Sequence, residues 1–291
     1  MEEHANLMRR AAWASLGVSL VLTAIKLFAY LATNSVAMLA SFADSAMDLF
    51  TSTLNLLAIH SALQPADREH RFGHGKAEPL AGMAQFAFIA GSAVFLVIQG
   101  ISRIVAPEPI DHIRVALVVM AISIVGAIGL IVYQRRVARE TRSVAIGADA
   151  AHYVGDLASN VGVVVAILLY IGLHWTLADP VIALFVAGVL VFNAFGVFRS
   201  AYDQLMDREL PDEDRERIKA IARAHKDVLA LHDLRTRAAG LHAFIQLHLE
   251  LDPEMSLTRA HAISDEVEAE LCAAFPHAEV IIHQDPAGLE P

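Results

Sequence analysis

The chain has 291 residues, 56% of them apolar, and a net charge of −10, whereas soluble domains are roughly 45–50% apolar. A mean hydropathy of +0.49 points to a membrane protein with a soluble part, and the lack of a basic excess argues against a nucleic-acid partner. The single cysteine, Cys272, excludes an internal disulfide and a cysteine-rich metal site.

Crossing roughly 30 Å of hydrocarbon takes about 20 apolar residues in a helix. Six stretches qualify: Ala11–Ala32, Val36–Ala62, Leu80–Val105, Ile113–Tyr133, Val144–Gly172 and Ala178–Tyr202. Arg9 and Arg10 before the first resemble the start of a signal peptide, but the stretch is too long and has no cleavage site. It reads as the first span. Thr33-Asn34-Ser35 is so short a connector that the first two spans should form a tight hairpin. Basic residues set the direction. Arg9 and Arg10, then Arg68, Arg71 and Lys76, then Arg135, Arg136, Arg139 and Arg142, then Arg199 fall on one side; only Arg103 and Arg114 fall on the other. Both termini are therefore expected in the cytoplasm. Trp13, Tyr30, Tyr170 and Trp175 lie near span ends, as interfacial aromatics do.

The second and fifth spans carry ionisable pairs, Asp44 with Asp48 and His152 with Asp156. Each pair is spaced i, i+4 and so shares one helix face. A carboxylate at the bilayer centre costs roughly 2.5–3.5 kcal/mol, so these groups need a purpose. The second span runs inward and the fifth outward, and counting from opposite membrane faces puts both pairs about 12–18 Å deep at 1.5 Å per residue. Three carboxylates and one imidazole suit a divalent metal such as zinc. No buried cation balances them on this reading except a metal or protons; Lys26 reads as a packing or snorkelling side chain. Asp149, three residues before His152, is placed either to orient it or as a solvated acid near the cytoplasmic mouth. Asn55 and Asn160 extend the polar faces.

After Asp207 the pattern changes. From Pro211 onward there are 16 acidic and 8 basic residues, and 7 of the 14 histidines. An acidic first turn opens a helix over Asp212–His225. Val228–Arg237 and Leu241–Leu251 read as strands around a turn at Ala238-Ala239-Gly240. Ser256–Phe275 reads as an amphipathic helix that takes up Cys272 as a buried thiol, and Glu279–His283 as a short strand. The predicted architecture is an α-helical membrane domain of six spans, residues 1–207, followed by a small αββαβ domain, residues 208–291.

Several motifs along the whole chain resemble the cation diffusion facilitator family, in particular its bacterial zinc and iron efflux members. They are Ser41-Phe42-Ala43-Asp44-Ser45-Ala46-Met47-Asp48, Gln64-Pro65-Ala66-Asp67, His70-Arg71-Phe72-Gly73-His74-Gly75-Lys76-Ala77-Glu78, Ala148-Asp149-Ala150-Ala151-His152 with Asp156, His232-Asp233-Leu234-Arg235-Thr236-Arg237, and Ile281-Ile282-His283-Gln284-Asp285-Pro286. The resemblance implies a transport site of Asp44, Asp48, His152 and Asp156. It implies a second site of Asp67, His70 and His74 in the loop after the second span. It also implies a two-metal cluster of His232, His248, His261, His283 and a bridging Asp285, with Gln284 auxiliary, and a charge interlock of Lys76 with Asp207. The remaining histidines, His4, His60, His112, His174, His225, His242 and His277, match no ligand position and read as surface or interfacial.

The expected function is a proton-coupled antiporter that exports divalent metal, zinc foremost with cadmium or ferrous iron as other cargo, from the bacterial cytoplasm across the inner membrane. By resemblance it is a homodimer joined through the cytoplasmic domain, where zinc is structural or regulatory. A passive metal channel and a membrane-bound metal sensor or scaffold are the rivals. No nucleotide loop or hydrolytic motif supports an enzyme.

Overall fold

The computed structural model describes residues 2–33, 36–105, 113–173 and 177–288. Asn34 and Ser35 of the expected hairpin connector, and His112, His174 and Trp175, lie outside the described residues, as do the side chains of Arg103 and Tyr170. The chain divides into two units, one spanning Glu2–Tyr202 and one beginning at Asp203.

Six helices build the first unit: α1 Glu2–Thr33, α2 Val36–Ala62, α3 Ala77–Val105, α4 Ile113–Thr141, α5 Val144–Leu173 and α6 Ala178–Leu205. The apolar stretches give their middles, but several helices run on past the bilayer-length core. α1 begins nine residues before its stretch because Glu2 and Glu3 suit the positive end of a helix and Met8, Ala11 and Ala12 continue its buried face. Arg142 at φ 54 ends α4 and lets α5 start at Val144. Four described stretches, Glu2–Ala32, Ala77–Ser102, Leu117–Thr141 and Pro180–Leu205, have the length and hydropathy of a bilayer crossing. α2 and α5 are of similar length, at 27 and 30 residues. The first unit is inside-out in the manner of a membrane bundle. Phe28, Phe185 and Phe192 are 75%, 72% and 80% exposed, whereas Ser15, Ser19, Ser52, Thr51, Asn55 and Gln134 are buried.

Hydroxyls join the helices. Thr23 Oγ1 on α1 donates to the Ser45 carbonyl on α2 at 2.8 Å. Tyr153 on α5 donates to the Ser15 carbonyl at 3.3 Å, and its hydroxyl lies 3.2 Å from Ser52 Oγ. α5 is thereby tied to α1 and α2 beside its ionisable face.

The second unit consists of α7 Asp212–Ala224, β1 Ala230–Ala239, β2 His242–Leu251, α8 Leu257–Ala274 and β3 Ala278–Pro286. Pro211 and three acids open α7, and Ser256 caps α8 by accepting from the Arg259 N–H at 3.3 Å. Gly240, at φ 60, makes the β1–β2 turn. The sheet order is β1-β2-β3, with β1 antiparallel and β3 parallel to β2. Strand alternation sorts the side chains. Ile245, Leu247, Leu249 and Leu251 of β2 form one core with Ile218 of α7 and Ile263, Val267 and Leu271 of α8. Gln246, His248 and Glu250 take the opposite parity. The architecture is the helical membrane unit with an αββαβ domain that the sequence indicates.

Candidate functional site

In the membrane unit, α2 supplies Asp48 and α5 supplies His152 and Asp156. His152 Nε2 lies 3.0 Å from Asp48 Oδ1 and 3.7 Å from Asp156 Oδ2. Ligand atoms of all three fall within 4.8 Å of one another. Their side chains are 10%, 14% and 25% exposed for His152, Asp48 and Asp156. This is a half-enclosed mixed nitrogen–oxygen set, the chemistry that zinc-like cations take. Asp44, one turn nearer the start of α2, is exposed and stands outside the triplet. It lines, with Asp48 and Asp156, a cavity of about 30 Å³, enough for one small hydrated species.

Lys26 also lines that cavity, with only 6% exposure. The expectation that no buried cation accompanies the acids is therefore corrected: helix periodicity turns the middle of α1 toward the ligands instead of letting Lys26 reach the interface.

Asp149 is fully buried and accepts from Gln134 Nε2 on α4. It is therefore not the solvated acid of one expectation, and its donor here is Gln134 and not the His152 ring of the other. Among the described residues, its Oδ1, the Gln134 Oε1 and both polar atoms of Asn55 meet no hydrogen-bond partner of good geometry. Asn160 lines the cavity shared by Asp44, Asp48 and Asp156, while Asn55 does not.

The loop between α2 and α3 folds on Asp67, whose Oδ1 accepts from the N–H of His70 at 2.6 Å and of Glu69 at 2.9 Å. These backbone donors, His70 foremost, hold its carboxyl below the ordinary carboxylate range. His70 Nδ1 lies 3.4 Å from Asp67 Oδ1, and His74 Nε2 3.3 Å from Asp67 Oδ2. Gly73 at φ 75 makes the bend that brings the two rings to 4.6 Å between centroids. No helix is needed to join the two histidines.

In the second unit the strand register assembles the histidines. His232 pairs with His248, and His248 with His283; Glu250 pairs with Asp285. Parity then places these five on the face opposite the core. Asp285 is central: Oδ2 is 2.7 Å from His248 Nδ1 and 3.2 Å from His232 Nε2, and Oδ1 is 3.1 Å from His283 Nε2. The hydrogen bond from His248, with His283 and His232 close by, keeps Asp285 below the ordinary carboxylate range.

Two of the expected members are elsewhere in this chain. His261, on α8, is 71% exposed and lies 3.6 Å from Asp265. Gln284 has the parity of the core side and donates to Ser264 Oγ on α8 at 2.9 Å. Two unexpected acids are near instead. Glu250 Oε1 is 3.2 Å from His232 Nδ1, and Asp233 Oδ2 is 3.8 Å from His248 Nε2. Glu250 follows His248 by two, a spacing that strand alternation could have flagged. Asp233 depends on a break in the β1 register, where it adopts φ 45, and nothing in the sequence signals that.

Lys76 stands one residue before α3, and Asp207, at φ 53 after α6, lies 3.4 Å from Arg237 Nη1. His225, expected at the surface, has a side chain only 8% exposed and meets Glu266 at 2.9 Å. The end of α7 packs toward α8 and covers it.

Comparison with known proteins matches residues 12–206 to the cation efflux transmembrane domain and residues 210–287 to the cation efflux protein cytoplasmic domain. A cation-efflux pump FieF of Klebsiella pneumoniae is 43% identical over 293 residues, covering 100% of this chain and 96% of that protein. Its counterpart in Shewanella oneidensis is 44% identical over 284 residues, with 98% and 96% covered. That of Escherichia coli is 41% identical over 293 residues, with 100% and 96% covered.

Proposed function

Because the chain belongs to the cation efflux family of multi-pass membrane transporters, and is not an enzyme, we propose that it is a proton-coupled antiporter exporting divalent metal, zinc foremost, from the cytoplasm. Asp44, Asp48, His152 and Asp156 are the transport ligands in this reading. The observation that carries it is the approach of Asp48, His152 and Asp156 to within 4.8 Å on two helices of an apolar bundle. The mixed donor set supports zinc-like cargo over harder ions.

Protons enter through the ligands themselves. Metal needs ionised carboxylates and a neutral imidazole, so cargo and protons compete for the same side chains. Loading from the cytoplasm releases protons, and opening to the far side reverses the exchange. Asp149, fixed by Gln134, holds the α5 face in register. The basic-residue asymmetry supports cytoplasmic termini in an inner membrane. Asp67, His70 and His74 form a loop site that gathers metal. Asp285 with His232, His248 and His283 forms a cytoplasmic zinc cluster, to which His261 and Gln284 are added on rearrangement. The match to the cytoplasmic-domain family, and the resemblance that implies a dimer, support a homodimer that this cluster strengthens. Lys76 and Asp207 act as a charge interlock at the junction.

The test is zinc flux in proteoliposomes with an imposed pH gradient. Flux that accelerates when the opposite compartment is acid, and that disappears in a folded Asp48→Ala variant, is expected. Wild-type-like flux in that variant overturns the ligand assignment, and flux indifferent to the gradient favours a channel over an antiporter.

A further inference from the structure

The proposed transport cavity holds one cationic side chain that the ligand set does not use. Lys26, midway along α1, shares the cavity with Asp44, Asp48 and Asp156. Among the described residues no other lysine or arginine is buried. A buried ammonium is unfavourable unless carboxylates compensate it, and Leu22 and Ala127 on the same wall offer none. Lys26 is 6% exposed and lines the same cavity as three carboxylates, so its stem does not carry it to an interface. Packing or snorkelling alone therefore leaves its position unexplained.

Charge balance supplies an explanation. Three ionised carboxylates, one ammonium and one divalent ion, with His152 neutral, leave the loaded cavity without net charge. Replace the lysine by a neutral residue and the loaded cavity carries one negative charge, so a divalent cation is held against a stronger field. In a low-dielectric site, one unit charge a few ångströms away changes affinity by about ten-fold or more.

We propose that Lys26 is a tethered counter-charge of the transport cavity, which sets how tightly a divalent cation is held and hence how readily it leaves. A transporter needs such a limit, since a site that binds too well does not release. This inference rests on the transport-site assignment above.

The experiment uses the full chain with the loop and cytoplasmic sites disabled by His70→Ala, His74→Ala and Asp285→Ala, so that calorimetry with zinc reads the membrane site. Lys26→Met is expected to bind zinc about ten-fold more tightly, and in proteoliposomes to lower KM and kcat together. Lys26→Arg is expected to restore the parental values, which a purely steric role for the lysine would not produce. Lys26→Gln, which keeps a polar head, replaces the methionine variant if that one does not fold. Unchanged affinity with an unchanged KM and kcat in the neutral variant, or weaker binding in both neutral variants, overturns the proposal. Asp48→Ala in the same background separates the two readings: if it leaves zinc affinity intact, the transport-site assignment fails, whatever Lys26 does.

Discussion

At the residue scale the proposed transport triplet turns on His152, whose Nε2 is the one nitrogen among carboxylate oxygens, 3.0 Å from Asp48. Imidazole favours zinc-like ions over harder ones. His152→Asp makes the set all-oxygen, and is expected to raise manganese relative to zinc in a competition assay on the purified protein. An unchanged metal ranking removes His152 from the ligand set. The ligands were legible because each pair has a helix spacing inside an apolar stretch, which makes a charged group conspicuous. Lys26 is equally conspicuous, but the sequence leaves open whether it packs in the bundle or snorkels. A lysine in a hydrophobic helix has two outlets, the interface or the bundle interior, and one helix alone does not say which way it faces. Glu250 stayed hidden for another reason. An acid on a strand is ordinary until the pairing partners are known, and only the β2–β3 register sets it beside Asp285.

At the scale of elements, α5 is held from behind as well as by its ligands. Glu78, at the start of α3, is 1% exposed and accepts from Ser143 Oγ and from the Ala145 N–H at 3.2 Å, so it caps α5 from a different helix. Glu78→Ala orphans both donors in a buried place and is expected to cost about 1–3 kcal/mol. A thermal unfolding series should show that loss, with Glu78→Gln retaining most of the stability. In the cytoplasmic unit, Arg259 on α8 binds Asp227 at 2.6 Å, and His225 at the end of α7 binds Glu266. The Arg259 hydrogen bond depresses Asp227, and the His225 hydrogen bond depresses Glu266, both from the ordinary carboxylate range. A depressed acid contributes stability that is complete above its unfolded value, near pH 4, and is lost as pH falls through the folded one. Acidification below about pH 4 should therefore loosen α7 first, read by hydrogen exchange, and Asp227→Asn with Glu266→Gln should blunt that response. The existence and order of the helices and strands are readable, because span length, Pro211, Ser256 and strand alternation each leave a mark. Their ends are not, since a helix leaving the bilayer, as α1 and α4 do, continues on polar residues that hydropathy does not count.

At the scale of the whole molecule, the two proposed metal sites lie in separate units and share no side chain. In the proposed homodimer, Asp285→Ala is expected to lower zinc stoichiometry and to weaken zinc-dependent dimerisation, by mass action on the associated form, while leaving membrane-site affinity nearly unchanged. Calorimetry paired with dimer dissociation, with and without zinc, checks it. Wild-type stoichiometry and dimer strength in the variant end the regulatory role. The register that builds the cluster has a kinetic side too. Its ligands come from three strands, and β3 joins β2 in parallel only after α8 has crossed over. The complete ligand set therefore exists only once the slowest pairing has formed, as long-range contacts of this kind form late. Zinc at this proposed site is then expected to act on the way out, slowing the departure of β3 from the sheet while doing little to hasten its arrival.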